Sequence, residues 1–242
     1  SSHGPSIFEG FGQIHIELWH GIPFKSIGLL MNRRLSLRDR LTRLNILISS
    51  KKISYLIVTS EFTQKLFSEV FGIPKGRCMI LGQPRCSALF EREAKAIKHL
   101  STLLKIKVTD LREKDIILYA PTYRNMPSYN MATREIIDKL LKSKDLNNLL
   151  MKKNVLFIIK LHPFDSQIIF HKQVPTNVKI ISDEDFLSAK LTLYDILPAV
   201  DVLITDYSSI AYDYFLLNKP VIFFTPDIES YRRFVGFIID VE

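Results

Sequence analysis

Cysteine is nearly absent: 242 residues contain two, Cys78 and Cys86. They lack the spacing of a metal site and cannot build a disulfide framework, so the chain fits a reducing compartment. No apolar run approaches the roughly 18 residues of a membrane-spanning helix. The opening SSHGPSIFEGFGQ has no signal-peptide pattern and no initiator methionine, so a trimmed piece of a longer chain is expected. Internal repeats and low-complexity segments are missing, which argues against solenoid arrays and disordered tails. P-loop, HExxH and GxGxxG patterns are missing too, and with them the commonest nucleotide and zinc signatures. Acidic side chains are in deficit, 25 against 33 Lys+Arg, leaving +8. That imbalance favours anionic partners: phosphate ligands, nucleic acid or an acidic membrane face. What remains is ordinary globular composition, 47% hydrophobic and 24% charged, in a length suited to one large or two small domains.

Residues 201–227 organise the rest. Val202–Thr205 is short, apolar and β-branched, the pattern of a buried strand. Asp206-Tyr207-Ser208-Ser209 follows, with two candidate helix caps in Asp206 and Ser208. Residues 210–217 read as a short helix stopped by Asn218-Lys219-Pro220, and 221–224 as another strand. Such a βαβ unit presents hydroxyls and helix amides at the strand's carboxyl end, where open α/β sheets bind phosphorylated ligands. Simple helix capping would explain the same residues.

The spacing upstream predicts a strand over 13–18, ending at Trp19-His20-Gly21-Ile22-Pro23, so that His20 lies in a loop. A long helix is expected over 29–52. It carries Arg33, Arg34, Arg38, Arg40, Arg43, Lys51 and Lys52 against Asp39, seven charges against one, for +6. Its apolar residues Leu30, Leu37, Leu41, Leu44 and Ile48 recur at helical spacing. Two readings stay open: a basic helix on an anionic membrane or partner, or a surface helix with its apolar face in the core. Further strands are expected over 53–59, 78–81, 115–120, Val155–Lys160 and Val178–Ile181. Helices are expected over Glu61–Phe71, 88–104, 132–150 and 192–199. Residues 105–114 are polar with four Lys/Arg and read as a linker, which divides the chain into domains 1–107 and 108–242. Alternation of strands and helices predicts an α/β fold with parallel sheets.

Three marked turns follow predicted strands of the second half: Thr122-Tyr123-Arg124, His162-Pro163 and Asp206 to Ser209. Carboxyl ends of one parallel sheet share an edge, so these groups can converge on one ligand. A guanidinium, an imidazole and hydroxyls suit a diphosphate. Asp183-Glu184-Asp185 has the D-x-D form of some metal sites but is expected in a solvated loop. The basic charge is concentrated in one helix without interleaved aromatics, which argues against nucleic-acid binding.

The segment Leu18-Trp19-His20-Gly21-Ile22-Pro23-Phe24-Lys25-Ser26-Ile27-Gly28 resembles the WHGTPLKKIG stretch of the CDP-glycerol glycerophosphotransferase family, the teichoic acid primases and polymerases. Later segments are similar to that family's in order and approximate spacing. They are Ser60-Glu61-Phe62, Phe71-Gly72-Ile73-Pro74, Gly82-Gln83-Pro84-Arg85, Leu118 to Arg124, Lys160 to Pro163 and Ile204 to Ser209. Cys86-Ser87 stands where the family usually has Asn-Asp. The resemblance implies a GT-B-like pair of Rossmann-like domains, the first incomplete here, with the donor held mainly by the second. It implies transfer of a polyol phosphate, glycerol phosphate foremost, from a CDP carrier to a hydroxyl of a lipid-linked or cell-wall polymer, in teichoic acid or capsule synthesis. His20 and His162 are the expected catalytic residues, His20 as base. Lys25, Thr122, Arg124, Asp206, Ser208 and Ser209 are expected to bind substrate. No cofactor or obligatory metal is expected. The place of action would be the cytoplasm, peripheral to the inner membrane face. A sugar-nucleotide enzyme of the same shape, a UDP-sugar glycosyltransferase or epimerase, is the alternative.

Overall fold

The computed structural model describes residues 12–30, 37–122, 133–161 and 174–238. Its chain folds into two compact units, Ser1–Pro84 with Val235–Glu242, and Arg85–Phe234.

In the first unit β1 (Ile16–Glu17), β2 (Tyr55–Val58) and β3 (Cys78–Ile80) form a parallel sheet in that order. Helix α1 (Leu37–Lys52) precedes β2, and α2 (Glu61–Phe71) joins β2 to β3. The bounds of α2 match the sequence expectation because both ends carry strong signals. Ser60 caps it, its hydroxyl accepting from Thr63 N at 3.2 Å while Thr63 Oγ1 accepts from Ser60 N at 2.8 Å. Such a cap contributes about 1 kcal/mol. Gly72 ends the helix in the left-handed region. Leu66, Phe67 and Val70 of α2 are buried with Leu56, Val58, Ile73 and Cys78. Each such apolar side chain contributes roughly 1.5–3 kcal/mol.

The second unit holds five parallel strands: β4 (Asp115–Tyr119), β5 (Val155–Lys160), β6 (Val178–Ile181), β7 (Val202–Thr205) and β8 (Val221–Phe223). Their order is β6-β5-β4-β7-β8. From β4 the chain moves outward through β5 to β6, then returns to the other side of β4 for β7 and β8. The order therefore reverses between β4 and β7. Both sheet faces are covered. Along β5, Leu156 and Ile158 join one core while Val155, Phe157 and Ile159 join the other. Burial on both faces explains the unbroken apolar run of this strand. Helices α3 (Glu93–Leu104), α4 (Val108–Arg112), α7 (Asp183–Ala189) and α8 (Ile210–Tyr214) line the first face. Helices α5 (Thr133–Lys142) and α6 (Lys144–Lys152) line the second, and α9 (Ile228–Phe234) ends the unit.

Several elements differ from the expectations. The compact units part at Pro84–Arg85, so the second unit takes in α3. The cause is packing: Ala96, Ile97 and Leu100 of α3 lie in the core that also holds Leu111, Ile116 and Leu118. The polar 105–114 stretch is not a bare linker. It contains α4, whose Leu111 is fully buried. The helix expected over 132–150 is two, because Ser143 caps a new start through Leu146 N. The helix expected from 88 begins at Glu93, after a 3-10 stretch over Pro84–Phe90. Asp183-Glu184-Asp185 is not a loop but the first turn of α7, capped by Ser182.

The two readings of α1 are separated by its exposure. Ser50 is buried and Ile46 and Ser49 are half-buried, so that side meets the unit. Leu41, Leu44 and Ile48 lie on the opposite side and are 56%, 52% and 51% exposed. Among the described residues these three are not core.

Candidate functional site

Two clusters carry the polar groups singled out in the sequence, one in each unit. In the first, β1 delivers the chain to Trp19 and His20. Trp19 adopts φ 54°, a left-handed conformation that costs a bulky residue energy and therefore needs anchoring. The anchors are visible. Trp19 N donates to Glu17 Oε1 at 2.8 Å, and the indole packs edge-on to Phe71 at 4.7 Å between ring centres. The His20 ring lies against the indole at 4.2 Å and is exposed. The loop then turns back at Gly28. A Cβ there would stand 2.3 Å from the Val70 carbonyl oxygen, and its φ is +60°, so only glycine lets the 3-10 turn Gly28–Leu30 touch α2. Residues 236–238 belong to the same unit and pair with this loop. Ser26 N donates to Gly236 O at 3.0 Å, and Ile238 N to Phe24 O at 2.8 Å. Lys25 forms an antiparallel bridge with Phe237 and is itself exposed.

In the second unit the crevice at the β4/β7 reversal is bridged by side chains. Asp206, just beyond β7, is buried. Its Oδ1 and Oδ2 both accept from Thr122 N at 3.0 Å, and Oδ1 accepts from Thr122 Oγ1 at 2.6 Å. One residue earlier Thr205 Oγ1 donates to Ala120 O at 2.7 Å, and Ala120 N donates to Ile204 O at 2.9 Å. This bond across the crevice is a contact that neither the substrate-binding expectation for Asp206 nor the capping alternative included. Ser209 occupies the cap position of α8 but makes no side-chain cap hydrogen bond, leaving its half-buried hydroxyl at the start of the helix beside half-buried Ser208. Tyr207 turns away from the crevice. Its ring stacks on Tyr231 of α9 at 3.7 Å, and its hydroxyl donates to Asp227 at 3.1 Å. The structure thus brings Thr122, Asp206, Ser208 and Ser209 to one edge and puts His20 and Lys25 on the other unit. Arg124 and His162 lie outside the described residues; Leu161, which precedes His162, leaves β5 with its N–H on Ile181 O.

Two members of the acidic triplet are committed to protein partners. Asp183 pairs with Lys160 at 2.5 Å, and Asp185 accepts from Ser182 N and Oγ at 2.7 and 2.8 Å. Among the described residues no group of three or more His, Cys, Asp or Glu is placed to hold a metal ion.

A third cluster escaped the sequence reading. Asp213 of α8, nearly buried, accepts from Arg85 Nε at 2.9 Å and Nη2 at 3.3 Å, and from the Tyr194 hydroxyl at 2.5 Å. Arg85 Nε also reaches Tyr194 Oη at 2.9 Å, and Cys86 Sγ donates to Asp213 at 3.5 Å. Burial alone would lower the Arg85 pKa, but hydrogen bonding and charge from Asp213 raise it. Burial, then Asp213, pushes the Cys86 thiol up to about 11, so it stays protonated and can donate. The departure at Cys86 thereby has a local account. Only the resemblance at Gly82-Gln83-Pro84-Arg85 hinted at Arg85; its partner lies 128 residues away, where no periodicity points.

Comparison with known proteins decides the family. Residues 2–242 match the model of CDP-Glycerol:Poly(glycerophosphate) glycerophosphotransferase. The chain belongs to that family. It is 32% identical over 228 residues to the teichoic acid glycerol-phosphate primase of Bacillus subtilis, covering 92% of this chain and 53% of that protein. It is 31% identical over 232 residues to a teichoic acid poly(ribitol-phosphate) polymerase of Bacillus spizizenii, covering 93% and 34%. The wall teichoic acid polymerase TagF superposes with a TM-score of 0.72 at 24% identity, covering 96% of this chain and 55% of that one. That likeness shows the fold, α/β and GT-B-like. This member of the glycerophosphotransferase family spans about half the length of the primase it matches, or less for the polymerase.

Proposed function

We propose that this glycerophosphotransferase-family chain moves a polyol phosphate, glycerol phosphate foremost, from a CDP-linked donor to a hydroxyl of a teichoic-acid-type or lipid-linked acceptor. The supporting observation is the Asp206–Thr122 bond across the β4/β7 crevice. It sits at the strand-order reversal where open α/β sheets take nucleotide ligands. Asp206 is buried and accepts from Thr122 N and Oγ1, which sets the crevice. Ser208 and Ser209 offer neutral donors to the diphosphate, Thr122 lines the crevice with its amide and hydroxyl donated to Asp206, and Arg124 and His162 follow β4 and β5 as the charge-bearing groups. Lys25 adds field.

The reaction is an in-line displacement. The acceptor oxygen bonds to the phosphorus distal to cytidine, the bond from that phosphorus to the bridging oxygen breaks, and CMP leaves. His20 takes the hydroxyl proton, while His162 and Arg124 stabilise the charge growing on the leaving phosphate. His20 suits the role because its exposed imidazole is braced by the Trp19 stack. A donor screen on the full-length protein tests this reading. CDP-glycerol or another CDP-polyol should release CMP and extend the acceptor. Turnover of UDP-sugars instead would favour the sugar-nucleotide alternative.

The acceptor also calls for a membrane face, and α1 offers one. Its outward row Leu41, Leu44 and Ile48 is flanked by Arg40, Lys51 and Lys52, the arrangement of an interfacial helix on anionic lipid. No helix among the described residues is long and apolar enough to cross a membrane. Binding to vesicles rich in anionic lipid should fall as salt rises. Replacing Leu41, Leu44 and Ile48 by Ser should abolish it, and Arg40, Lys51 and Lys52 by Gln should reduce it several-fold. Equal sedimentation of the parent and both variants would count against this face.

A further inference from the structure

Among the described residues, the Arg85–Tyr194–Asp213 cluster is a partly buried charge network of the second unit that the proposed chemistry does not use. Helix α8 is otherwise held by apolar packing of Ile210 and Tyr214 and, at its far end, by the Tyr214 hydroxyl on Val200 O. Apolar contacts are non-directional and tolerate small rotations of a helix about its axis. A forked guanidinium on a carboxylate is directional. Asp213 lies four residues after Ser209, about 6 Å further along the same helix and close to the same face. Whatever fixes Asp213 therefore fixes the direction in which Ser209, and Ser208 before it, present their hydroxyls.

We propose that Arg85 and Tyr194, acting through Asp213, are positioning residues for the Ser208-Ser209 turn. The inference rests on the reading of that turn as part of the diphosphate site. Three observations carry it. The carboxylate is saturated by four donors: Arg85 Nε, Arg85 Nη2, the Tyr194 hydroxyl and the Cys86 thiol. Tyr194 belongs to the segment that enters β7, and the same segment grips the far end of α8. Tyr214 Oη and Lys219 Nζ both donate to Val200 O, at 2.8 and 2.9 Å. Finally, the turn is held from its other side by Asp206 on Thr122. The Ser208-Ser209 hydroxyls thus lie between two carboxylate anchors, Asp206 before them and Asp213 after them. A buried ion pair is a poor way to gain stability, since apolar residues of similar volume often do as well or better. What it supplies that leucine cannot is orientation.

The test uses the full-length protein and isothermal titration with CDP and with cytidine, which lacks the phosphates. In the double variant Arg85→Met, Asp213→Leu the pair is replaced by apolar side chains, so neither charge is left without its partner. CDP should bind roughly tenfold more weakly, the size of one lost hydrogen bond, while cytidine affinity stays within twofold. Tyr194→Phe removes only the hydroxyl and should give a smaller loss in the same direction. Arg85→Lys should recover part of the loss seen in Arg85→Met. If the double variant is folded and binds CDP as the parent does, the network is structural and the proposal is overturned. Should the double variant not fold, Tyr194→Phe decides, and unchanged CDP affinity there overturns it equally. A parent protein that binds cytidine and CDP alike would instead remove the diphosphate reading itself, and this inference with it.

Discussion

Replacing His20 by alanine should lower kcat by roughly 10²–10⁴-fold, the usual contribution of general base catalysis, and leave CDP affinity within twofold. The expected split follows from where the residue sits. His20 belongs to the first unit, at the end of β1, while the proposed diphosphate contacts belong to the second. Its ring is braced by Trp19, and Trp19 in turn by Phe71, Phe67 and Glu17. The His20 imidazole is exposed and touches the indole at its surface, so its removal should cost little stability. A folded His20→Ala protein with parental turnover would remove His20 from the mechanism. A loss of CDP affinity equal to the loss of turnover would make it a donor contact instead.

Asp206 should give the largest effect on binding. Asp206→Ala leaves the Thr122 amide without its acceptor and frees the Thr122 hydroxyl. Hydrogen bonds to a charged group are worth about 1.5–3 kcal/mol, so a stability loss on the order of 3 kcal/mol is expected. CDP affinity should fall on the order of 100-fold, because donors on both sides of the crevice lose their setting. Asp201 supplies the control. At the opposite end of the same strand pair its Oδ2 accepts from Ile116 N at 2.7 Å, and its own N–H donates to Ile116 O at 2.8 Å. Asp201→Ala should destabilise comparably and leave CDP affinity unchanged in the folded protein. Equal losses of CDP affinity in both variants would reduce Asp206 to a structural tie.

The elements most legible in the sequence are those whose signals are local. Ser60 and Gly72 mark both ends of α2, and an unbroken apolar run marks β5 as a strand covered on both faces. The ordered strand–turn motifs lead to the family, and Thr122, Asp206, Ser208 and Ser209 do meet at one sheet edge. What sequence leaves open depends on which surface a segment packs against. The apolar face of α3 would look the same on either unit, so sequence alone does not assign it to the second compact unit, which begins at Arg85. Leu111 disguises α4 by sitting in a stretch rich in Lys and Arg. The leucine row of α1 has helical spacing whether it faces core or solvent; only the burial of Ser50 on the other side separates the two. The bond from Asp206 to Thr122 could not be read because the two lie 84 residues apart. Arg85 and Asp213 share that difficulty.

The central claim is that the crevice set by Asp206 and Thr122 holds a cytidine diphosphate. Melting curves of the full-length protein in EDTA test it most directly. A ligand that binds only the folded state, at roughly a hundredfold excess over its Kd, adds about 2.7 kcal/mol. CDP or CDP-glycerol should raise the Tm in EDTA, UDP should raise it less, and Asp206→Ala should lose the CDP shift. Stronger stabilisation by UDP or a UDP-sugar, or a CDP shift that appears only after Mg²⁺ is added, would contradict a metal-independent CDP site.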